Sequence, residues 1–166
     1  MNYAQPQAIA GVTAGAENQM MTRWPSIAAM PLGRLIGQLM SSVPVRLILA
    51  LPVLGPIGAL LYLIQKVIGE RYTLTNKSVQ RWSALGGRMI QRVELADIAS
   101  MEIQQQSGQQ FFRAADLLLL NAKGDVVMRL EGLPRAEIFR ENIAKARAAA
   151  LEVEESLNTI QARASA

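Results

Sequence analysis

Residues 47–65 run for 19 positions without a charged side chain, inside the longer stretch 46–72, RLILALPVLGPIGALLYLIQKVIGERY. A helix rises about 1.5 Å per residue, so about 20 apolar residues cross the roughly 30 Å of bilayer hydrocarbon. Residues 43–68 are long enough. Pro52, Gly55, Pro56 and Gly58 interrupt the centre of the run. A proline inside a helix removes a backbone donor, and its ring meets the preceding turn. Three paths stay open. One is a kinked single span over residues 44–69. Another is a re-entrant hairpin: a short helix to about Leu51, a turn over 52–56, and a longer helix from about Ile57 to Ile68. Its turn backbone would need partner helices or an oligomer, because lipid satisfies no peptide groups. The third is a buried helical pair in a soluble protein, although the remaining chain has little apolar surface to wrap it.

The sequence before this stretch reads as an approach to a membrane surface. Residues 1–21 are rich in Ala, Gln, Gly and Asn, without periodicity, and are expected to form a disordered tail. Residues 22–43 are expected to contain an amphipathic, interfacial helix. Pro31 suits a first helical turn. Leu32, Leu35, Ile36, Leu39, Met40 and Val43 then follow at i, i+3, i+4, i+7, i+8 and i+11, one stripe of a helix. Gly33 and Gly37 have the G-x-x-x-G spacing that lets helices approach closely in membranes. The residues expected at the membrane interface are Trp24, Arg34, Arg46, Tyr62 and Lys66. Indole and phenol rings favour the headgroup level. Lys66, Arg71, Lys77 and Arg81 crowd the far flank more closely than Arg23, Arg34 and Arg46 crowd the near one. That asymmetry points the C-terminal part to the cytoplasm.

From Arg71 the periodicity changes. Short strands are expected near 71–75, 78–83, 89–94, 99–106, 115–121 and 125–131, separated by turn signals at Asn76-Lys77, Gly86-Gly87, Ser107-Gly108 and Lys123-Gly124-Asp125. Gly132-Leu133-Pro134 is expected to end the sheet, with Pro134 in the first turn of a closing helix. Phe139, Ile143, Ala146, Ala150, Val153, Leu157 and Ile160 recur at spacings of four and three, a heptad seam. The β domain with its capping helix is placed at 70–150, and 151–166 is a helical extension.

The chain has neither cysteine nor histidine. Disulfides, thiol nucleophiles, imidazole bases and cysteine-ligated metals are excluded, and no catalytic, cofactor or metal residue is expected. The scattered carboxylates fit turns and solvated faces. With aromatics at 5% and a net charge of +4 without a dense basic stripe, the balance favours an anionic membrane surface over nucleic acid.

RYTLTN from Arg71, VELADIASMEI from Val93, and LLLLNAKGDVVMRLEGLPRAEIFRENI from Leu117 together resemble the bacterial pleckstrin-homology (PH) domain family over about residues 70–147. The resemblance implies an α+β fold: a PH-like, bent antiparallel β sandwich or barrel of seven strands, closed by a long C-terminal helix and here preceded by membrane-associated helices. Only six strands are legible, and the seventh is expected in 109–114 or in a split of a longer strand. In eukaryotic relatives basic residues around the first hairpin bind phosphoinositide headgroups. Lys77, Arg81, Arg88 and Arg92 occupy the comparable region as candidate headgroup or partner contacts, and they equally fit solvated strand and loop charges. The bacterial family is not generally tied to phosphoinositides. The expected function is a membrane-anchored, non-catalytic interaction module at the cytoplasmic face of a bacterial inner membrane, with anionic lipids or a protein as partner. The alternative is a structural protein that assembles copies through the apolar segment and the heptad helix.

Overall fold

The computed structural model describes residues 17–42, 44 and 54–164, with side chains to residue 153. Arg46 and Pro52 lie outside the described residues. The described strands are β1 (Gln19–Arg23), β2 (Glu70–Thr75), β3 (Ser78–Ser83), β4 (Met89–Glu94), β5 (Ser100–Gln104), β6 (Ala114–Leu120) and β7 (Val126–Pro134). They form two antiparallel sheets, β1-β2-β3-β4 and β5-β6-β7. No described ladder joins the sheets, so the architecture is an open sandwich and not a closed barrel.

The inward positions follow from alternation along each strand. Tyr72 and Leu74 of β2, Val79 of β3, Leu117 and Leu119 of β6, and Met128 and Leu130 of β7 share one core. Helix α3 (Ala136–Ala164) closes this core. Its Phe139, Ile143 and Ala146 are buried there, and each large apolar side chain so placed contributes roughly 1.5–3 kcal/mol. Beyond them α3 outruns the sandwich, leaving Leu151 and Val153 exposed. Leu157 and Ile160 of the heptad seam lie outside the described side chains.

The seventh strand is not where the sequence placed it. Residues Gln110–Phe112 form a 3₁₀ turn. The missing strand is β1, from the segment read as the tail and the start of a helix. QMMTR is too short and too weakly alternating to signal a strand. It is captured by tertiary contacts. Met21, Thr22 and Arg23 pair with Leu74, Thr73 and Tyr72. Just ahead of it, the Glu17 carboxylate accepts hydrogen bonds from Thr75, Ser78 and Gln80 and pairs with Arg92 at 3.0 Å. The helices expected ahead of the β domain therefore do not precede it. They are inserted in it, between neighbouring strands β1 and β2.

The insertion contains helix α1 (Pro31–Ser41) and helix α2 (Gly55–Ile68). Pro31 and Pro56 both sit in first turns, where a missing N–H costs nothing. Gly33 and Gly37 do allow close approach, but to the domain itself. A Cβ on Gly33 would lie 1.8 Å from the Ile27 carbonyl oxygen, and one on Gly37 would lie 2.1 Å from that of Gly108. Arg34 donates to Gln106, and Gln38 to Ser107 at 2.7 Å. Docking through this glycine face turns Leu32, Leu35 and Leu39 outward. Ile36 packs with Leu54 and Leu61 of the returning chain in a second, smaller core. Among the described residues no helix is long and apolar enough to cross a membrane.

A correction also applies to Gly132-Leu133-Pro134. These residues continue β7, with Pro134 opposite Ala114 and a register shift between Ala115 and Leu117. Gly132 has φ +57°, and a Cβ there would lie 2.5 Å from the Ala29 nitrogen. The strand bulges at Gly132 and does not end. Arg135, with φ +52°, makes the break, and α3 begins after it.

Candidate functional site

The four cations proposed as headgroup contacts do not converge. Lys77 lies in the turn before β3 and Arg88 in the turn after it. The six residues of β3 hold those two ends about 20 Å apart. Arg81, within β3, faces Glu70 across the ladder. Its Nε and Nη2 donate to the two carboxylate oxygens at 2.5 and 2.7 Å. Arg92 is shared between Glu17 and Glu94, at 3.0 and 2.8 Å. Two of the four charges are thus already balanced within the sheet. Arg88 is exposed at the end of β3 that adjoins β2's first residue, where the helical insertion joins the sheet.

A different set is assembled at that junction. Lys66, in the last turn of α2, holds its Nζ 4.5 Å from the centre of the Trp24 ring and 5.8 Å from that of Tyr62. These distances lie within the range of cation–π attraction. Arg71, one strand residue inside the sheet, sits 5.6 Å from the Trp82 ring, opposite which it is paired. Trp24, Tyr62 and Lys66 were expected at one surface from the sequence, and the structure brings them together. Arg71 and Trp82 were not among the expected interface residues. Their spacing carries no signal until β2 and β3 are put in register. Arg34 lies elsewhere, bonded to the β5–β6 connection, and Arg46 is outside the described residues.

The helix that carries Tyr62 and Lys66, α2, has an unusual distribution of apolar surface. Its narrow buried stripe is Leu61 and Gln65, continued by Leu54 just ahead of its first turn. Ile57, Leu60, Leu63, Ile64, Val67 and Ile68 are exposed, Leu60 at 58% and Leu63 at 59%. A helix apolar on nearly every side is not a water-facing helix. Exposed patches of this kind mark contact with lipid or another protein.

The buried polar groups belong to the scaffold. Asp116, on β6, is 1% exposed. Its carboxylate accepts from Gln109 at 2.6 Å, Gln106 at 2.7 Å, Arg129 at 2.6 Å and the backbone N–H of Gly132 at 2.8 Å. Burial alone would raise its pKa. The Gly132 N–H, the Arg129 guanidinium and Gln109 outweigh burial and hold the carboxyl below its ordinary value. The donors lie on β7, Gly132 at its bulge and Arg129 three residues before it, and in the β5–β6 connection. The group therefore clamps the two segments onto which α1 and the 3₁₀ turn Ile27–Ala29 dock. Burial pushes the Tyr72 phenol up from its ordinary value. Its oxygen accepts from the Glu131 N–H at 3.0 Å. Among the described residues no group of three or more acidic side chains could hold a metal ion.

Compared with known families, the chain matches the model of the bacterial PH domain over residues 27–147. The match takes in the helical insertion as well as β2 to β7 and the packed part of α3. No curated protein and no solved structure matches significantly.

Proposed function

Because this chain belongs to the bacterial PH domain family, whose domains are generally non-catalytic interaction modules, we propose that it is such a module held on a membrane. The domain sits at the cytoplasmic face of a bacterial inner membrane, and anionic headgroups are its ligand. The observation that carries this reading is the exposed apolar face of α2, along which Tyr62 and Lys66 are interspersed and meet Trp24. Apolar side chains enter the lipid, aromatic rings take the headgroup level, and cations meet phosphates. Lys66, Arg71 and Arg88 lie at this end of the sheet and are the favoured headgroup contacts. Lys77 lies at the other end, and Arg81 and Arg92 are engaged by carboxylates.

Flotation of the purified full chain with vesicles tests this. Binding is expected to neutral phosphatidylcholine and to be stronger with phosphatidylglycerol present, the increment falling as salt rises. Lys66→Glu combined with Arg88→Glu is expected to remove that increment, at about 1 kcal/mol, or roughly fivefold, per cation lost. No flotation with either vesicle would overturn the proposal.

A second reading, assembly of copies, is supported by α3, which extends past its own domain with Leu151 and Val153 exposed. Removing residues 151–166 and measuring mass by light scattering separates the two. An assembly lost together with membrane binding favours the structural role. A monomer that still floats favours the module.

A further inference from the structure

β1 and β2 are hydrogen-bonded neighbours, yet the whole apolar insertion, residues 24–69, lies between them. Both ends of the insertion are therefore fixed to the same edge of one sheet. Further contacts tighten the two ends. The Ser26 N–H donates to the Gly132 carbonyl at 2.8 Å, and the Ala84 N–H donates to the Gly69 carbonyl at 2.8 Å. A segment tied in this way cannot leave its domain on one side of a bilayer and rejoin it from the other. An odd number of crossings is excluded by the strand pairing alone.

Length restricts the path further. α1 stays on the domain as far as Gln38, through Gly37 against Gly108 and Gln38 on Ser107. The chain is back beside Ile36 by Leu54. Residues 39–53, between these two points, reach at most about 50 Å with 39–41 helical, against roughly 60 Å for a crossing and return. α2, with 14 residues, is about 21 Å long.

From these observations we infer that the insertion is a monotopic anchor. It enters one leaflet and returns to the side it left, with the exposed faces of α1 and α2 in the lipid and both chain termini on the domain's side. The occupant of Leu32, Leu35 and Leu39 on α1, and of Leu60, Leu63 and Val67 on α2, is then the near leaflet of a bilayer. Charge complementarity supports lipid, since the cationic and aromatic belt of Lys66, Trp24 and Tyr62 borders this surface at the base of α2. The inference rests on the membrane reading proposed above and adds its topology.

The absence of native cysteine allows a direct test. Single substitutions Ala8→Cys, Leu51→Cys and Lys123→Cys in the full chain, expressed in a bacterium, are treated with a membrane-impermeant maleimide from either face of the inner membrane. Ala8→Cys and Lys123→Cys are expected to react from the same face, and Leu51→Cys to resist labelling from the opposite one. Ala8→Cys and Lys123→Cys reacting from opposite faces would show a single span. Leu51→Cys reacting from the opposite face would show a crossing hairpin. Either result overturns the inference while leaving membrane attachment intact. A chain found wholly in the supernatant after membranes are sedimented overturns both. The strand pairing is checked in the same membranes with Thr22→Cys/Thr73→Cys, whose parent hydroxyls lie 3.3 Å apart. Oxidation is expected to form an intramolecular disulfide, and its failure to form in membrane-bound protein would remove the premise.

Discussion

Replacing Leu60 and Leu63 by aspartate is expected to move the chain from the membrane pellet to the supernatant while the β sandwich stays folded. Both side chains are more than half exposed, and neither belongs to the stripe by which α2 holds the domain. That stripe is Leu54, Leu61 and Gln65, which the double variant retains. An aspartate placed in bilayer hydrocarbon costs about 2.5–3.5 kcal/mol at the centre of a span and less toward the interface. Two in one leaflet should therefore cost about 4 kcal/mol, on the order of a thousandfold in partition. Sedimentation of membranes measures the shift, and circular dichroism with thermal melting checks the fold. A variant that still pellets with an unchanged melting curve would show that α2 does not contact lipid. Leu61→Asp is the contrasting control. It strikes the small core shared with Ile36 and should destabilise the docked helices as well.

Asp116→Ala should act on stability and leave the exposed apolar surface untouched. The substitution strands the Gln109 amide, the Gly132 N–H and one end of Arg129, all of which now donate to one buried carboxylate. Unsatisfied buried donors cost about 1–3 kcal/mol each, and Arg129 can turn toward solvent, so a total of about 3 kcal/mol is expected. For a β domain of this size that is a fall of about 10–20 °C in Tm. Asp116→Asn keeps an acceptor and should fall between the two. The same carboxylate makes stability depend on pH. Its folded pKa is depressed, so the unfolded chain binds the proton more readily. The contribution is fully present above the unfolded carboxylate range and is lost as pH falls through the folded value. Glu17, held below its ordinary value by Ser78, Thr75 and Arg92 against the opposing effect of burial, acts in the same direction. Acid melts should show the wild type losing stability on descent toward pH 3, and Asp116→Ala losing less over that range. Parallel curves for the two proteins would refute the role given to Asp116.

Local signals were sufficient for most of the β domain. Alternation between Arg71 and Glu131, punctuated by Gly and Asn turns, marks β2 to β7 to within a few residues, because each strand carries its own inward and outward faces. The strand expected near 115–121 is β6, and its continuous apolar run at Leu117 to Leu120 suits a strand buried along its whole length. The heptad spacing of Phe139, Ile143 and Ala146 likewise marks the face of α3 that closes the core. Trp24, Tyr62 and Lys66 were singled out one at a time from residue type and position beside an apolar run, and their contact with one another is a product of the fold.

What required the tertiary structure is everything that depends on partners distant in sequence. β1 is a strand because β2 offers it an open edge and Glu17 finds Thr75, Ser78 and Gln80. Nothing in QMMTR demands it. The glycine pair of α1 has a spacing by which helices approach closely in membranes, but its contacts are Ile27 and Gly108 of its own domain. Arg81 and Arg92 looked like free cations until register put Glu70 and Glu17 beside them. The apolar run at 47–65 was by itself compatible with a single span, a hairpin or a buried helical pair. Periodicity and composition report on the environment of a side chain, and so they identify the solvent a segment prefers. They hold no information on where the two ends of that segment are tied. The pairing of Arg23 with Tyr72 supplies it, and turns an insertion of undecided path into one that begins and ends at the same edge of one sheet.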